Sequence, residues 1–378
     1  MRMRHRRVGP IAVIVFVAIS SRLRGQLIFK REVQELRPGE PTTMILTHSN
    51  RVLSFGDGSL IALRAETESW DKKAQTATLI RPDGTQEVFL ASKQVVPGIH
   101  EEVPRPESGT AGQVYGAALF PDGDTLALSI GWADEKGVSR NAIAITSPTF
   151  RERNLILMDG TVRDLVAGPG DLLLVVTYLP DRTSASGSPL LTIVDTRGVV
   201  HGEAFPLSSG SSTREIGDAV HRSRLAQLSS GRYALYDHSQ GRIFVFTLTV
   251  PTSVSAKAPL PSMLHEARGS WPELANFSAG FDVTPRVERV IDLAADGGPP
   301  DSLLGIHLSK NGGITVVGNS RRDASHTTVK TYPSDGTSPS VWSSASPWRV
   351  AYWVDEAAVG VSEQGDVAIL ESVGPRSP

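Results

Sequence analysis

Nine residues with carboxylate, aromatic or imidazole side chains lie in short polar segments that separate apolar runs. Together such groups would form an acidic, aromatic-rimmed surface that attracts a cation, a basic peptide or a sugar by charge and stacking. The alternative is structural, because aspartate in a loop commonly caps its own backbone. The predicted ligand-binding residues are Trp70, Asp71, Trp132, Asp134, Tyr178, Asp181, Asp237, His238 and Asp323.

Sequence signatures of catalysis are missing from the chain. It holds no G-x-S-x-G elbow, P-loop, H-E-x-x-H or calcium-loop pattern, and its nine histidines form no close pair. Separate segments can still assemble a site, so the question of an enzyme stays open, with a preference against one. We predict no catalytic residue, no metal ligand and no cofactor.

A short pattern that recurs six times must position these residues. It consists of an apolar residue, a turn-forming stretch, a glycine, and apolar residues in alternation, as in Leu308–Val317, Val361–Leu370 and Val166–Val175. Each copy predicts a tight turn between two strands, with a positive φ at the glycine. The six turn glycines are Gly58, Gly123, Gly170, Gly231, Gly312 and Gly365.

The spacing of these glycines predicts the fold. It ranges from 47 to 81 residues, and a propeller blade of four short strands needs about 40–50 residues. The longest interval holds one blade with an insertion at about residues 251–285 rather than two blades. We predict an all-β fold, a β-propeller with six blades. Seven blades, an open β-solenoid and two stacked sandwiches are the alternatives.

The ends of the chain suggest how the ring closes. Only 13 residues follow Gly365, enough for one more strand, and the strand-like segment Gln26–Leu36 has no turn partner of its own. If this segment supplies the outer strand of the last blade, no sheet edge stays open.

The repeats resemble the WD-like repeats of bacterial periplasmic propellers of the TolB type. Leu119–Leu128 carries their P-D-G turn followed by L-A-L, with Phe120 where serine is usual. Other copies keep Ser309, Ser362 and Ser54 but lose the Pro-Asp. The resemblance covers about ten residues per repeat and implies the fold, not an activity, because propellers host unrelated functions.

Composition excludes several classes of protein. The net charge is −2, and because Arg2, Arg4, Arg6 and Arg7 precede any acid, the rest of the chain is more acidic still. Such a body lacks the basic footprint of a nucleic-acid binder. The absence of cysteine excludes disulfides and thiolate-bound metals.

The N-terminal residues have the features of an export signal. A basic stretch precedes the nine apolar residues Ile11–Ile19, and Ala18 and Ser20 are small residues placed for cleavage before Ser21. We predict a signal peptide at 1–20 and one domain at 21–378, in a periplasmic or extracellular protein. An uncleaved membrane anchor is the alternative, because Arg22 and Arg24 disfavour cleavage.

Four large aromatics lie within twelve residues near the C-terminus. They are a stacking platform or packing between blades, and the alternating stretch around Trp353 favours packing. The function we predict is non-catalytic binding of a protein or polysaccharide partner at the cell envelope, without nucleic acid. The alternative is a propeller hydrolase or lyase with carboxylates at the channel mouth. The four aromatics are Trp342, Trp348, Tyr352 and Trp353.

Overall fold

In this computed structural model most of the chain outside the N-terminal segment and several loops is described. The described residues are 15–16, 28–31, 49–55, 58–64, 76–81, 85–90, 113–133, 139–147, 153–158, 160–178, 189–207, 213–229, 231–250, 282–293, 298, 300–309, 312–320, 325–334, 338–344, 346–354, 357–362 and 367–371.

Antiparallel four-stranded sheets follow one another along the first half of the chain. Each is a meander in which consecutive strands pair. Blade 1 consists of β3 (Ser49–Ser54), β4 (Leu60–Arg64), β5 (Thr76–Ile80) and β6 (Gln86–Leu90). Blade 2 consists of β7 (Gln113–Leu119), β8 (Leu126–Ala133), β9 (Ser139–Thr146) and β10 (Arg153–Met158). Blade 3 consists of β11 (Thr161–Ala167), β12 (Leu172–Tyr178), β13 (Pro189–Asp195) and β14 (Val200–Pro206).

The second half continues the same architecture. Blade 4 consists of β15 (Arg224–Ser229), β16 (Arg232–Asp237), β17 (Arg242–Thr249) and β18 (Thr284–Asp292). Blade 5 consists of β19 (Ser302–Leu308), β20 (Ile314–Asn319), β21 (Thr327–Tyr332) and β22 (Ser340–Ser343). Blade 6 contains β23 (Trp348–Val354), β24 (Ala357–Ser362) and β25 (Val367–Glu371), joined by β2 (Ile28–Arg31) and β1 (Val15–Phe16).

Apolar clusters fill the spaces between neighbouring blades. Leu79 of blade 1 and Leu128 of blade 2 belong to one cluster, and further clusters join the following blades in turn. In the sixth cluster, Val52 of blade 1 packs with Val361 of blade 6, so the sheets form a closed ring. The fold is a six-bladed β-propeller. Burial of one such side chain contributes about 1.5–3 kcal/mol, and the repeated clusters stabilise the ring.

Strand β2 lies on the outer side of blade 6, between β25 and the edge strand β1. Its residues Ile28, Phe29 and Lys30 pair antiparallel with Glu371, Leu370 and Ile369. This is the position that the sequence predicts for the segment. That the strand is what holds the ring closed stays a prediction. The described residues include no helix long and apolar enough to cross a membrane.

Turn glycines occupy the predicted positions. Gly58, Gly123, Gly170, Gly231 and Gly312 have φ between 65° and 83°, and each lies between the first and second strands of its blade. Gly365 lies outside the described residues. Its repeat spans the second and third strands of blade 6, so this copy is not equivalent to the other five.

One helix occurs among the described residues, and the sequence analysis did not predict it. Helix α1 (Thr213–Arg222) connects the outer strand of blade 3 to the innermost strand of blade 4. Ala219 and Val220 are buried, and Val220 and Ile216 pack into the cluster between these two blades. The helix is short and largely polar, so its amphipathic pattern rests on these few residues.

The aromatic residues near the C-terminus pack between strands. Trp348 is 2% exposed, and its ring lies 5.8 Å from that of Trp342. Trp353 stacks on His307 at 5.3 Å. These contacts favour the packing interpretation. The predicted insertion separates the third and fourth strands of blade 4; because residues 251–281 lie outside the described residues, the insertion stays a prediction.

Candidate functional site

Innermost strands of all six blades lie around one axis. They are β3, β7, β11, β15, β19 and β23, each at the end of its sheet, and those of neighbouring blades contact one another around most of the ring. Because consecutive strands are antiparallel, each innermost strand begins at the rim where the second strand ends. We call this rim, with the first residues of the innermost strands, the channel mouth.

Irregular pairing marks the innermost strands near this rim. In β11 the register shifts between Val162 and Asp164, so Arg163 is an extra residue. Shifts of the same kind occur next to Asn50, Tyr115, Leu304 and Arg349. Bulges re-aim side chains and occur beside functional sites. Here they interrupt strict alternation close to Arg51 and Arg163.

A buried carboxylate lies at the centre of the mouth. Asp164 has a fully buried side chain and forms a two-pronged ion pair with Arg51, at 2.8 Å from Oδ1 and 2.7 Å from Oδ2. The backbone N–H groups of Leu165 and Leu225 also donate to its oxygens, at 2.9 and 2.8 Å. All these donors are within hydrogen-bonding distance, so both oxygens of the carboxylate are occupied by hydrogen bonds within the fold.

These contacts join four blades at one point. Arg51 belongs to blade 1, Asp164 to blade 3 and Leu225 to blade 4. Blade 2 contributes Gly116, where an added Cβ would lie 3.0 Å from Oδ1 of Asp164. Side chains of blades 1 and 3 meet across blade 2, which places the pair near the axis.

Two further arginines lie beside this ion pair. The guanidinium of Arg163 lies 4.3 Å above the ring of Tyr115, and its Nε is buried without a hydrogen-bond partner among the described residues. Arg224 donates from Nη1 to the carbonyl oxygens of His221 and Ser223, at 2.7 and 2.8 Å. We refer to Arg51, Arg163 and Arg224 as the arginine cluster.

Positive charge exceeds negative charge in this cluster. Burial, together with the cations of Arg51 and Arg163, lowers the pKa of Arg224 to about 10, and Asp164 opposes this shift. Arg224 stays protonated at neutral pH. Three guanidiniums therefore face one carboxylate, and such a site is suited to hold an anion.

The C-terminal end of α1 forms one wall of the mouth. Ser223 accepts a hydrogen bond from the backbone N–H of His238 at 3.1 Å and donates to the carbonyl of Ala219 at 2.8 Å. The hydroxyl of Tyr236 lies 2.8 Å from Nδ1 of His238. These bonds fix the helix end against the loop between the second and third strands of blade 4.

Few of the predicted ligand-binding residues can be located in full. Asp237 and His238 lie at the channel mouth, and Tyr178, at the end of β12, is half-buried beside the cluster between blades 3 and 4. Trp132 lies in β8, but its side chain is outside the described part. The residues outside the described ranges are Trp70, Asp71, Asp134, Asp181 and Asp323. Their role in binding stays a prediction.

The carboxylate of Asp237 is occupied by its own loop. Its Oδ1 accepts from the backbone N–H and the hydroxyl of Ser239, at 2.8 and 2.6 Å, and from the N–H of Gln240 at 3.3 Å. This is the backbone-capping alternative. Its Oδ2 is buried with no partner within the described residues. Of the two predicted binding residues, His238 is the more exposed, since Asp237 is fully buried.

The arginine cluster was missed by the sequence analysis. Its members come from three blades and are separated by 112 and 61 positions. Each is the only arginine of its strand, and no local spacing connects it to the others. The feature of the sequence that could have identified the cluster is position, because each arginine lies within the first three residues of an innermost strand.

Two histidines at the mouth should make stability depend on pH. Burial lowers the pKa of His221 below 6.5, as do the cations of Arg163 and Arg224. Burial is the main cause that lowers the pKa of His238, and the cation of Arg222 is the next. Below about pH 6.5 the unfolded chain therefore binds more protons than the folded chain, and the free energy of unfolding decreases.

We expect the chain to unfold at lower urea concentration at pH 5.5 than at pH 7.5. The double variant His221→Gln with His238→Gln should show a smaller difference between the two pH values. Asp195 does not titrate in this range, because burial raises its pKa less than hydrogen bonds from Val199 and Arg197 lower it. An unchanged difference in the double variant would assign the pH dependence to other groups.

Comparisons with known proteins show likeness in fold alone. BamB from Moraxella catarrhalis aligns over 95% of this chain and 100% of its own, at 11% identity and a TM-score of 0.35. The propeller domain of the Trilobed protease from Pyrococcus furiosus aligns over 86% of this chain and 95% of its own, at 11% identity and a TM-score of 0.39. Regucalcin from Agrobacterium tumefaciens, a calcium-binding protein, aligns over 90% of this chain and 93% of its own, at 10% identity and a TM-score of 0.44.

Sequence comparison adds no family to this likeness. No protein-family model matches the chain, and no curated protein matches it. Identities of this size carry no residue roles from those proteins to this one.

Proposed function

We propose that this protein is an exported, non-catalytic β-propeller that binds a protein or polysaccharide partner at the cell envelope through its channel mouth. The observation that carries the proposal is the arginine cluster, where Arg163 and Arg224 lie beside a carboxylate already paired with Arg51. Positive charge that is not neutralised within the fold attracts an oppositely charged group of a partner.

The use of the nearby carboxylates supports binding rather than acid–base catalysis. A general base needs a free lone pair within reach of substrate. Asp164 accepts four hydrogen bonds and its side chain is fully buried. Oδ1 of Asp237 accepts three bonds within its own loop, and its Oδ2 is buried, so it does not face a substrate in the channel. Both groups act in shaping the mouth.

Export is the second part of the proposal and rests on the N-terminal residues. Cleavage before Ser21 would remove Val15–Phe16, the short strand β1, and keep β2 in blade 6. The mass of the N-terminal peptide from the envelope fraction should then correspond to a chain that begins near Ser21. A chain that begins at Met1 in the cytosol would contradict export.

The binding test is a pull-down from an envelope extract with the full chain as bait. The double variant Arg163→Gln with Arg224→Gln should retain at most about a tenth of the captured partner, since each charge-assisted contact contributes about 1.5–3 kcal/mol. The control is Arg232→Gln with Arg242→Gln, which removes the same charge from half-exposed ion pairs. Equal capture by both double variants would contradict binding through the mouth.

A further inference from the structure

We propose that the channel mouth is an oxyanion site, in which Arg163 and Arg224 together hold one carboxylate or phosphate group that a partner inserts along the axis. This inference rests on the proposed function and names the chemistry of the group that is recognised.

Both arginines have hydrogen-bond donors to spare. A guanidinium carries five N–H donors in a planar fork. Nη1 of Arg224 serves two backbone carbonyls, at 2.7 and 2.8 Å, and the Nε of Arg163 is buried without a partner among the described residues. A buried donor without a partner costs about 1–3 kcal/mol, so a ligand that draws the Arg163 guanidinium towards its oxygens would recover part of this loss.

The electrostatic environment favours an anion over a neutral polar ligand. The cations of Arg51 and Arg163 both disfavour the charged form of Arg224, and the carboxylate that opposes them, Asp164, is already paired with Arg51. His221 responds to the same field, since both arginines disfavour its protonated form. Because water is partly excluded, an anion placed between the two cations would interact with them more strongly than at an open surface.

The fold already contains an example of the proposed interaction. Arg51 holds the carboxylate of Asp164 through two nearly equal contacts of 2.7 and 2.8 Å. A carboxylate or phosphate presents the same pair of oxygens. The Cζ of Arg163 lies 4.3 Å from the centroid of the Tyr115 ring, and this contact narrows the positions that the guanidinium takes before a ligand binds.

The test is a titration of the full chain, labelled with ¹⁵N-arginine, with inorganic phosphate and separately with malonate. Sodium chloride at equal ionic strength is the reference. We expect saturable shifts of the Arg163 and Arg224 side-chain signals with at least one oxyanion. Whichever anion binds more tightly identifies the source as phosphate or carboxylate. Chloride with equal affinity, or no saturable shift, would overturn the inference.

Variants separate specific binding from general attraction. Arg163→Gln and Arg224→Gln should each weaken oxyanion binding about tenfold or more. Arg224→Lys keeps the charge but loses the fork, so it should weaken binding as well. The control Arg232→Gln with Arg242→Gln should bind as the parent chain does. Melting temperatures establish that each variant is folded, and equal affinity in all variants would refute the site.

The two proposals fail in different ways. If neither phosphate nor malonate binds but the mouth variants lose the partner in the pull-down, the oxyanion inference is wrong and the binding function stands. If the anions bind but the same variants capture the partner normally, the site exists and the mouth is not the partner's docking surface.

Discussion

Asp164→Asn should lower the free energy of unfolding by about 3–5 kcal/mol, the loss typical of a buried ion pair with one partner removed. The asparagine would leave Arg51, whose side chain is 15% exposed, without its counter-charge. It would also weaken the bonds from the N–H groups of Leu165 and Leu225. Because these hydrogen bonds join blades 1, 3 and 4, the variant should also unfold less cooperatively.

Chemical denaturation of matched variants measures this effect. Asp218→Asn is the control, because it removes the same charge from an exposed pair with Arg222 in α1, worth about 0.3–0.5 kcal/mol. A double-mutant cycle with Arg51→Gln isolates the coupling between Arg51 and Asp164. A loss below about 1 kcal/mol in Asp164→Asn would show that the pair is not a central support of the ring.

Gly360→Ala should lower the free energy of unfolding by about 3 kcal/mol, at the upper end of the range for overpacked cores. A Cβ at residue 360 would overlap the indole of Trp348. That tryptophan is 2% exposed, and its backbone is held by Thr327 at 2.6 Å and by Asn319 at 2.9 Å. The ring therefore has little room to move.

The same substitution in α1 provides the opposite expectation. Beyond its chain neighbours and the backbone of its own helix, Gly217 has no atom within 4 Å of an added Cβ, so alanine there should stabilise the chain by about 0.5–1 kcal/mol through helix propensity. Thermal and urea unfolding of the two alanine variants should differ in sign. A stable Gly360→Ala variant would contradict the packing of Trp348 against this strand.

Regular features of the propeller could be predicted because they repeat along the chain. A hairpin turn needs a positive φ, glycine adopts it most readily, and five of the six glycines show it. The copy around Gly365 differs from the others, because it connects the second and third strands of its blade. Its alternation is as clear as in the other copies, but local pattern does not tell which pair of strands in a blade a turn connects.

Features of the channel mouth depend on contacts between blades and could not be predicted in the same way. Asp164 and Arg51 are 113 positions apart, and only the closed ring brings them together. The bulge at Arg163 adds to the difficulty, because it breaks the two-residue period on which strand reasoning relies. Residues of the loops, such as Asp237 and His238, were easier to place because strand order alone puts their connection at one rim.

The charge expected at the rim also differs from the charge found near the axis. The loop aspartates suggest an acidic mouth, whereas the described innermost strands carry the arginine cluster. Loop composition could not reveal this, because the deeper part of the channel is formed by strand residues. Both observations are compatible with an anionic group bound at the axis inside a rim that contacts the rest of the partner.

Site-specific photo-crosslinking in the source cells tests most directly whether the channel mouth is the binding surface. A photoreactive residue would replace His238, at the mouth, or Asp122, exposed in the turn between the first and second strands of blade 2. We expect a discrete crosslinked product from position 238, lost when Arg163→Gln and Arg224→Gln are added, and none from position 122. Crosslinks from position 122 alone, or a product at position 238 that survives loss of both arginines, would contradict this expectation.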